Sequence, residues 1–142
     1  MTSRLPRGYA EIAFEDSGGG GVPVVLCHGA GMDRTMFEEQ AVALIGAGFR
    51  VISWDMAGHG ESALAAASRF TASDALVDLT ALLDSCGADR AVLVGHSLGG
   101  NLAQAFVRAH PDRAAGLIVM DSTWNAGPLA WWERLALRAA AP

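Results

Sequence analysis

The chain has 142 residues, 51% of them hydrophobic and 18% charged, with a formal net charge of −5. That length suits a single domain, and the composition supports a packed core and argues against disorder. The acidic balance argues against sequence-independent nucleic-acid binding, and because all ten basic residues are arginine, a lysine base or Schiff base is excluded.

No apolar run is long enough to span a bilayer, and no apolar segment follows Arg4 and Arg7 as a signal peptide would require. Neither a membrane nor a nucleic-acid partner is therefore expected. Cys27 and Cys86 lack framework spacing, which fits a reducing cytoplasm. Tyr9–Phe14 alternates and predicts a strand. Asp16–Gly21 is a glycine-rich stretch without the lysine of a phosphate loop and reads as a hairpin turn. Val22–Cys27 is an apolar, β-branched run of the kind buried on both faces of a sheet. It leads into His28-Gly29-Ala30-Gly31. Asp33 or Thr35 can cap a helix over Met36–Ile45, stopped by Gly46 and Gly48.

Arg50–Trp54 is the next strand, followed by the loop Asp55-Met56-Ala57-Gly58-His59-Gly60-Glu61-Ser62 and a small-residue connector to Phe70. Thr71 and Asp74 have capping-box form. The helix behind them carries Leu76, Leu79, Leu82 and Leu83 on one face and ends at Gly87. Arg90–Gly95 is a strand, Leu98–His110 a helix closed by Pro111, and Ala115–Met120 another strand with Asp121 at its C-terminal end. Strands alternating with helices, and too continuously apolar for a one-faced sheet, predict an α/β fold: a doubly wound, mostly parallel sheet. Residues 1–121 form this core. Residues 122–142, with Trp124, Leu129, Trp131, Trp132, Leu135 and Leu137, read as an apolar, helical segment.

Three glycine-rich loops fall at the C-terminal ends of successive parallel strands, the edge where open α/β sheets bind ligands. In the third, Gly95-His96-Ser97-Leu98-Gly99, strand runs into helix through a sharp turn that presents the Ser97 hydroxyl at a helix N-terminus. A Cβ at Gly95 or Gly99 would collide with a neighbouring strand or helix. The four histidines are scattered and the cysteines are not spaced as ligands, so no metal and no cofactor is implied.

These motifs, His28-Gly29-x-Gly31, Asp55-x-x-Gly58-x-Gly60-x-Ser62 and Gly95-His96-Ser97-Leu98-Gly99-Gly100, resemble the first half of an α/β-hydrolase fold protein of the esterase and lipase superfamily. The resemblance implies that the sheet is incomplete at its C-terminal side and that the tryptophan-rich tail begins a lid. It makes Ser97 the nucleophile, with the amides of Ala30 and Leu98 as oxyanion donors. Gly29 and Gly31 keep side chains away from the substrate oxygen, and His28 and His59 brace their loops. His96, next to Ser97, points its ring to the other side of the turn. A serine at the elbow argues against the dehalogenase and epoxide-hydrolase branches, whose nucleophile is a carboxylate.

The superfamily's order is nucleophile, acid, histidine, and only His110 follows Ser97. The catalytic histidine is thus missing from this chain; Asp121 sits where some members of the superfamily place the acid, whereas most place it after the following strand, and its other reading is a loop cap or pocket-edge carboxylate. The expectation is a serine hydrolase of a small-molecule acyl ester, truncated and inactive alone. A second reading is a non-catalytic or complementing interaction module, pairing through its open sheet edge with another copy or with the missing C-terminal half.

Overall fold

The computed structural model describes residues 1–123, so the expected lid segment lies outside the described residues beyond Thr123. The strands are β1 (Ser3–Arg7), β2 (Ala10–Asp16), β3 (Pro23–Cys27), β4 (Arg50–Trp54), β5 (Ala63–Leu64), β6 (Ala91–His96) and β7 (Ala114–Met120), and the helices are α1 (Glu38–Gly46), α2 (Ala72–Ser85) and α3 (Leu98–Ala109). The sheet order is β1-β2-β4-β3-β6-β7, with β5 paired to β2. β4, β3, β6 and β7 run parallel, while β1, β2 and β5 join antiparallel at one end. Among the described residues, no helix is long and apolar enough to cross a membrane.

Strand alternation sorts the core into two layers. On one face Val25, Cys27, Ile52, Trp54 and Leu93 pack against Leu79, Leu82 and Leu83 of α2 and Leu102 and Phe106 of α3. On the other, Val24, Leu26, Val51 and Val94 pack against Phe37, with Leu44 of α1 beside them. Each fully buried leucine or phenylalanine stabilises the fold by roughly 1.5–3 kcal/mol.

Three local expectations are corrected. The glycine-rich stretch after β2 is no hairpin, because β4 lies between β2 and β3. It instead crosses the start of β4, where Ser17 N donates to Val51 O and Arg50 N to Val22 O. The connector after Ser62 contains β5. Before Arg34–Phe37, a 3-10 turn, Asp33 accepts from Thr35 N, and the α-helix itself begins only at Glu38. The strand β1 carries no alternating signal, and its Pro6 is tolerated because β1 is an edge.

The leucine face of α2 also holds an acid. Asp78 is fully buried, accepting from Arg7 Nε at 2.8 Å and from the Tyr9 hydroxyl. It ties the β1–β2 hairpin to α2, and burial together with this carboxylate pushes the Tyr9 phenol up from its ordinary value. Replacing Asp78 by Ala strands two polar partners in a low dielectric and is expected to cost about 3 kcal/mol in urea unfolding. Asp84→Ala breaks the Arg113 pair, where the acid is 61% exposed, and should cost less than about 0.5 kcal/mol. Equal effects would refute this assignment.

Candidate active site

Four loops leave the C-terminal ends of the parallel strands: His28–Asp33 after β3, Asp55–Ser62 after β4, Ser97 after β6 and Asp121–Thr123 after β7. Ser97 has φ 50° and ψ −115° and caps α3, a conformation that only glycine enters without strain. The turn is tight because its neighbours lack side chains. A Cβ on Gly95 would overlap the Gly99 carbonyl, and one on Gly99 would overlap the carbonyls of Cys27 and His28. The start of α3 therefore abuts the exit of β3. Leu98, whose amide has no acceptor within the helix, directly precedes Gly99 at this contact, and the exposed Ala30 lies two residues beyond His28.

The first two loops are pinned by buried polar groups. His28 is fully buried; Nδ1 lies 2.8 Å from Gly29 O, and Nε2 accepts from Met56 N at 2.9 Å. Burial lowers its pKa, so the ring is neutral. Asp55, also fully buried, accepts from Arg34 N at 2.7 Å, from Glu61 N at 2.9 Å and from the Arg34 guanidinium. Arg34 also reaches Glu61 at 2.5 Å and holds that carboxyl below its usual range. Both His28 and Asp55 thus brace loops, and His59 bonds back to Ala57 O at 3.2 Å. Gly31, at φ 69°, turns the first loop.

His96 packs against the first loop: its Nδ1 stands 2.8 Å from where a Cβ on Gly29 would be. Its Nε2 is 3.7 Å from Asp121 Oδ2. Asp121, at φ 47°, has a side chain 91% exposed. Asn101 and Ser122 do not stand out in the sequence. Ser97 N donates to Met120 O at 3.0 Å, continuing the β6–β7 ladder. The Ser122 hydroxyl lies 2.8 Å from Ser97 O and 3.0 Å from Asn101 Oδ1, and Gln104 Nε2 donates to Thr123 O at 3.1 Å. The available signal was a pair of amides, Asn101 and Gln104, on the otherwise apolar face of α3. Among the described residues, no group of three or more His, Cys, Asp or Glu could hold a metal.

The strand–elbow–helix at Ser97 and the order of the sheet agree with a family comparison: residues 22–140 match the alpha/beta hydrolase fold. The chain belongs to the α/β-hydrolase fold family. Its similarity to Epoxide hydrolase B of Mycobacterium tuberculosis is 38% identity over 96 residues, covering 67% of this chain and 27% of that protein. With the 2-hydroxy-6-oxononadienedioate/2-hydroxy-6-oxononatrienedioate hydrolase of Burkholderia vietnamiensis it is 36% over 113 residues, covering 77% and 39%. A thermophilic esterase from Thermogutta terrifontis superposes with TM-score 0.80 at 37% identity, over 98% of this chain and 51% of that one. A carboxylesterase structure from Nitrososphaera gargenis gives TM-score 0.85 at 23% identity, which speaks to fold alone. This α/β-hydrolase chain spans about half the length of these solved structures.

Two measurements test the site's physics. Ser97→Gly relieves the strained conformation and should stabilise the chain by about 1 kcal/mol relative to Ser97→Ala, which keeps it; no difference in urea midpoint would refute the strain. An unfolded histidine takes up a proton near pH 6.5, whereas His28 in the fold resists it. Its contribution is complete above that pH and is lost as pH falls toward the depressed folded value. The urea midpoint should therefore fall between about pH 7.5 and about pH 5.5, with a shallower slope in His28→Gln. An identical slope in the variant would exclude this origin.

Proposed function

We propose that this chain carries the nucleophile and oxyanion half of a serine hydrolase acting on a carboxylic ester or a related acyl bond. The observation that carries this reading is the strained Ser97 at the tip of β6, where the helix that follows it abuts the exit of β3 at Gly99. The Ser97 oxygen attacks the acyl carbon, and the carbonyl electron pair moves onto oxygen. That oxyanion accepts from the amides of Ala30 and Leu98. The alcohol then leaves with a proton, and water cleaves the acyl-serine to release acid and restore the hydroxyl.

A base must take the serine proton. His28 has both ring nitrogens engaged, His59 turns to its own loop, and His110 ends α3 on the side away from Ser97. His96 lies between Gly29 and Asp121. The base in this reading therefore comes from polypeptide outside these residues, and Asp121, beside the elbow, is the acid available to orient it. A pocket of about 170 Å³ between α2 and α3 is lined by Met56, Phe70, Leu98 and Leu102 together with the polar Asn101 and Arg108; the preference for an uncharged, partly apolar acyl substrate rests on the apolar, tryptophan-rich segment after residue 122. The serine also separates this chemistry from a carboxylate-nucleophile epoxide hydrolase.

The competing reading, an interaction module, draws on the open β7 edge, where Leu117 and Ile118 are exposed. Incubation of the purified chain with p-nitrophenyl acetate and a fluorophosphonate probe tests the proposal. Turnover should be at least ~10³-fold below that of an intact esterase, with weak labelling that Ser97→Ala removes. Labelling indifferent to Ser97→Ala would exclude the nucleophile, and turnover matching an intact esterase would exclude the missing base.

A further inference from the structure

We propose that His96 is a positioning residue for the loop that carries Ala30, and that proton uptake at its buried Nδ1 unseats that loop. The oxyanion role of Ala30 rests on the reading above; the coupling of ring to loop does not. His96 ends β6, paired with Met120 of β7 and one residue past the pairing of Gly95 with Cys27 of β3. Its ring therefore stands at the sheet edge between the exits of β3 and β7. The two ring nitrogens meet opposite surroundings. Nε2 is 3.7 Å from the exposed Asp121 carboxylate. Nδ1 is buried and, among the described residues, has no hydrogen-bond partner. It faces Gly29 so closely that a Cβ there would stand 2.8 Å away. A bare nitrogen suits that contact, because its lone pair meets only a Cα hydrogen. The neutral ring therefore carries its proton on Nε2, toward the carboxylate.

Gly29 in turn governs Ala30. Met32 N donates to Gly29 O at 3.2 Å and closes a turn with Ala30 and Gly31 at its centre, Gly31 at φ 69°. His28 holds the same carbonyl. Because its Nε2 accepts from Met56 N, its Nδ1 carries the hydrogen that Gly29 O accepts at 2.8 Å. Gly29 is thus fixed at its carbonyl by two donors and at its Cα by the His96 ring. Both lone pairs of the carbonyl are in use.

A proton taken from water changes this contact. An N–H bond forms at Nδ1, Nε2 keeps its proton, and the ring gains one positive charge. The new N–H points at Gly29, and a buried donor without an acceptor is costly. The Gly29 carbonyl already holds two donors and cannot receive it. Ring and loop must separate, and the turn that carries the Ala30 amide moves with Gly29. The titratable groups near the ring give Nδ1 no other outlet. Asp121 faces Nε2, His28 is turned to Gly29 O and Met56 N, and Asp33, farther along the loop, accepts from Thr35. The other neighbours, Met32 beside Gly29 and Met120 on β7, carry no charge.

The test is a proton–nitrogen NMR titration of the full 142-residue chain from about pH 8 to about pH 5, across the histidine range. The Gly29, Ala30 and Gly31 amide signals should shift with the same midpoint as the His96 ring. His96→Phe, which fills the space without a nitrogen, should abolish that response. His28→Gln and Asp121→Asn should retain it, since neither touches His96 Nδ1. Gly29→Ala, at a position without positive φ, should push the ring away at every pH and leave Ala30 and Gly31 unresponsive. Amide dispersion in each spectrum establishes that the variant folds. A loop that ignores the His96 midpoint, a response that survives His96→Phe or Gly29→Ala, or one that vanishes in Asp121→Asn would overturn the proposal. The expected pattern in a chain whose Ser97 the fluorophosphonate probe never labels would sink the hydrolase reading and leave the coupling standing.

Discussion

The start of α3 and the end of β3 approach so closely that one methyl group would force them apart: a Cβ on Gly99 overlaps the carbonyls of Cys27 and His28. That contact sets much of the site's geometry. It lets the helix begin where β6 stops, which forces Ser97 through positive φ and lifts it out of the sheet. It also fixes the first turn of α3 against the carbonyls with which the loop after β3 begins. The strain at Ser97, of the order of 1–3 kcal/mol, persists because backbone contacts on both sides over-determine the turn. No rotamer change can relieve it.

Around this rigid contact, the loops are held by polar groups buried deeply enough to matter. Arg34 and Asp55 form a charge pair at the base of the first two loops, with the acid also accepting two backbone amides. Such a pair contributes little net stability against an apolar substitute, because its desolvation offsets its attraction. What it fixes is direction: it accepts only one placement of the 3-10 turn relative to the Asp55 loop. His28 acts in the same way without charge, spanning from its own loop to Met56 N.

Much of this was legible in the sequence because it depends on the absence of side chains. Gly95, Gly99 and Gly29 mark the close approaches, and short apolar runs mark β3, β4 and β6. What escaped depends on pairings distant in sequence. β1 has no alternation and exists because β2 offers it a full register from Arg7↔Ala10 to Ser3↔Phe14. Asp78 carries no signal of its own in the sequence, because its partners Arg7 and Tyr9 lie some seventy residues away. The glycine-rich stretch after β2 looked like a hairpin because local composition does not disclose that β4 inserts between the strands it joins. Ser122 and Asn101 fall in the same class: their importance lies in a contact across 21 residues.

The lacing between Ser97 and the segment after β7 has a consequence for biosynthesis. Ser97 N bonds to Met120 O, and Ser122, 25 residues later in the chain, lies against Ser97 O. On a ribosome adding roughly 5–20 residues per second, the elbow sequence is made seconds before the strand that locks it. During that interval Ser97 can relax to an ordinary backbone conformation. The strained turn at Ser97 forms only when β7 zips onto β6, so the elbow takes its shape late, after most of the sheet is already in place.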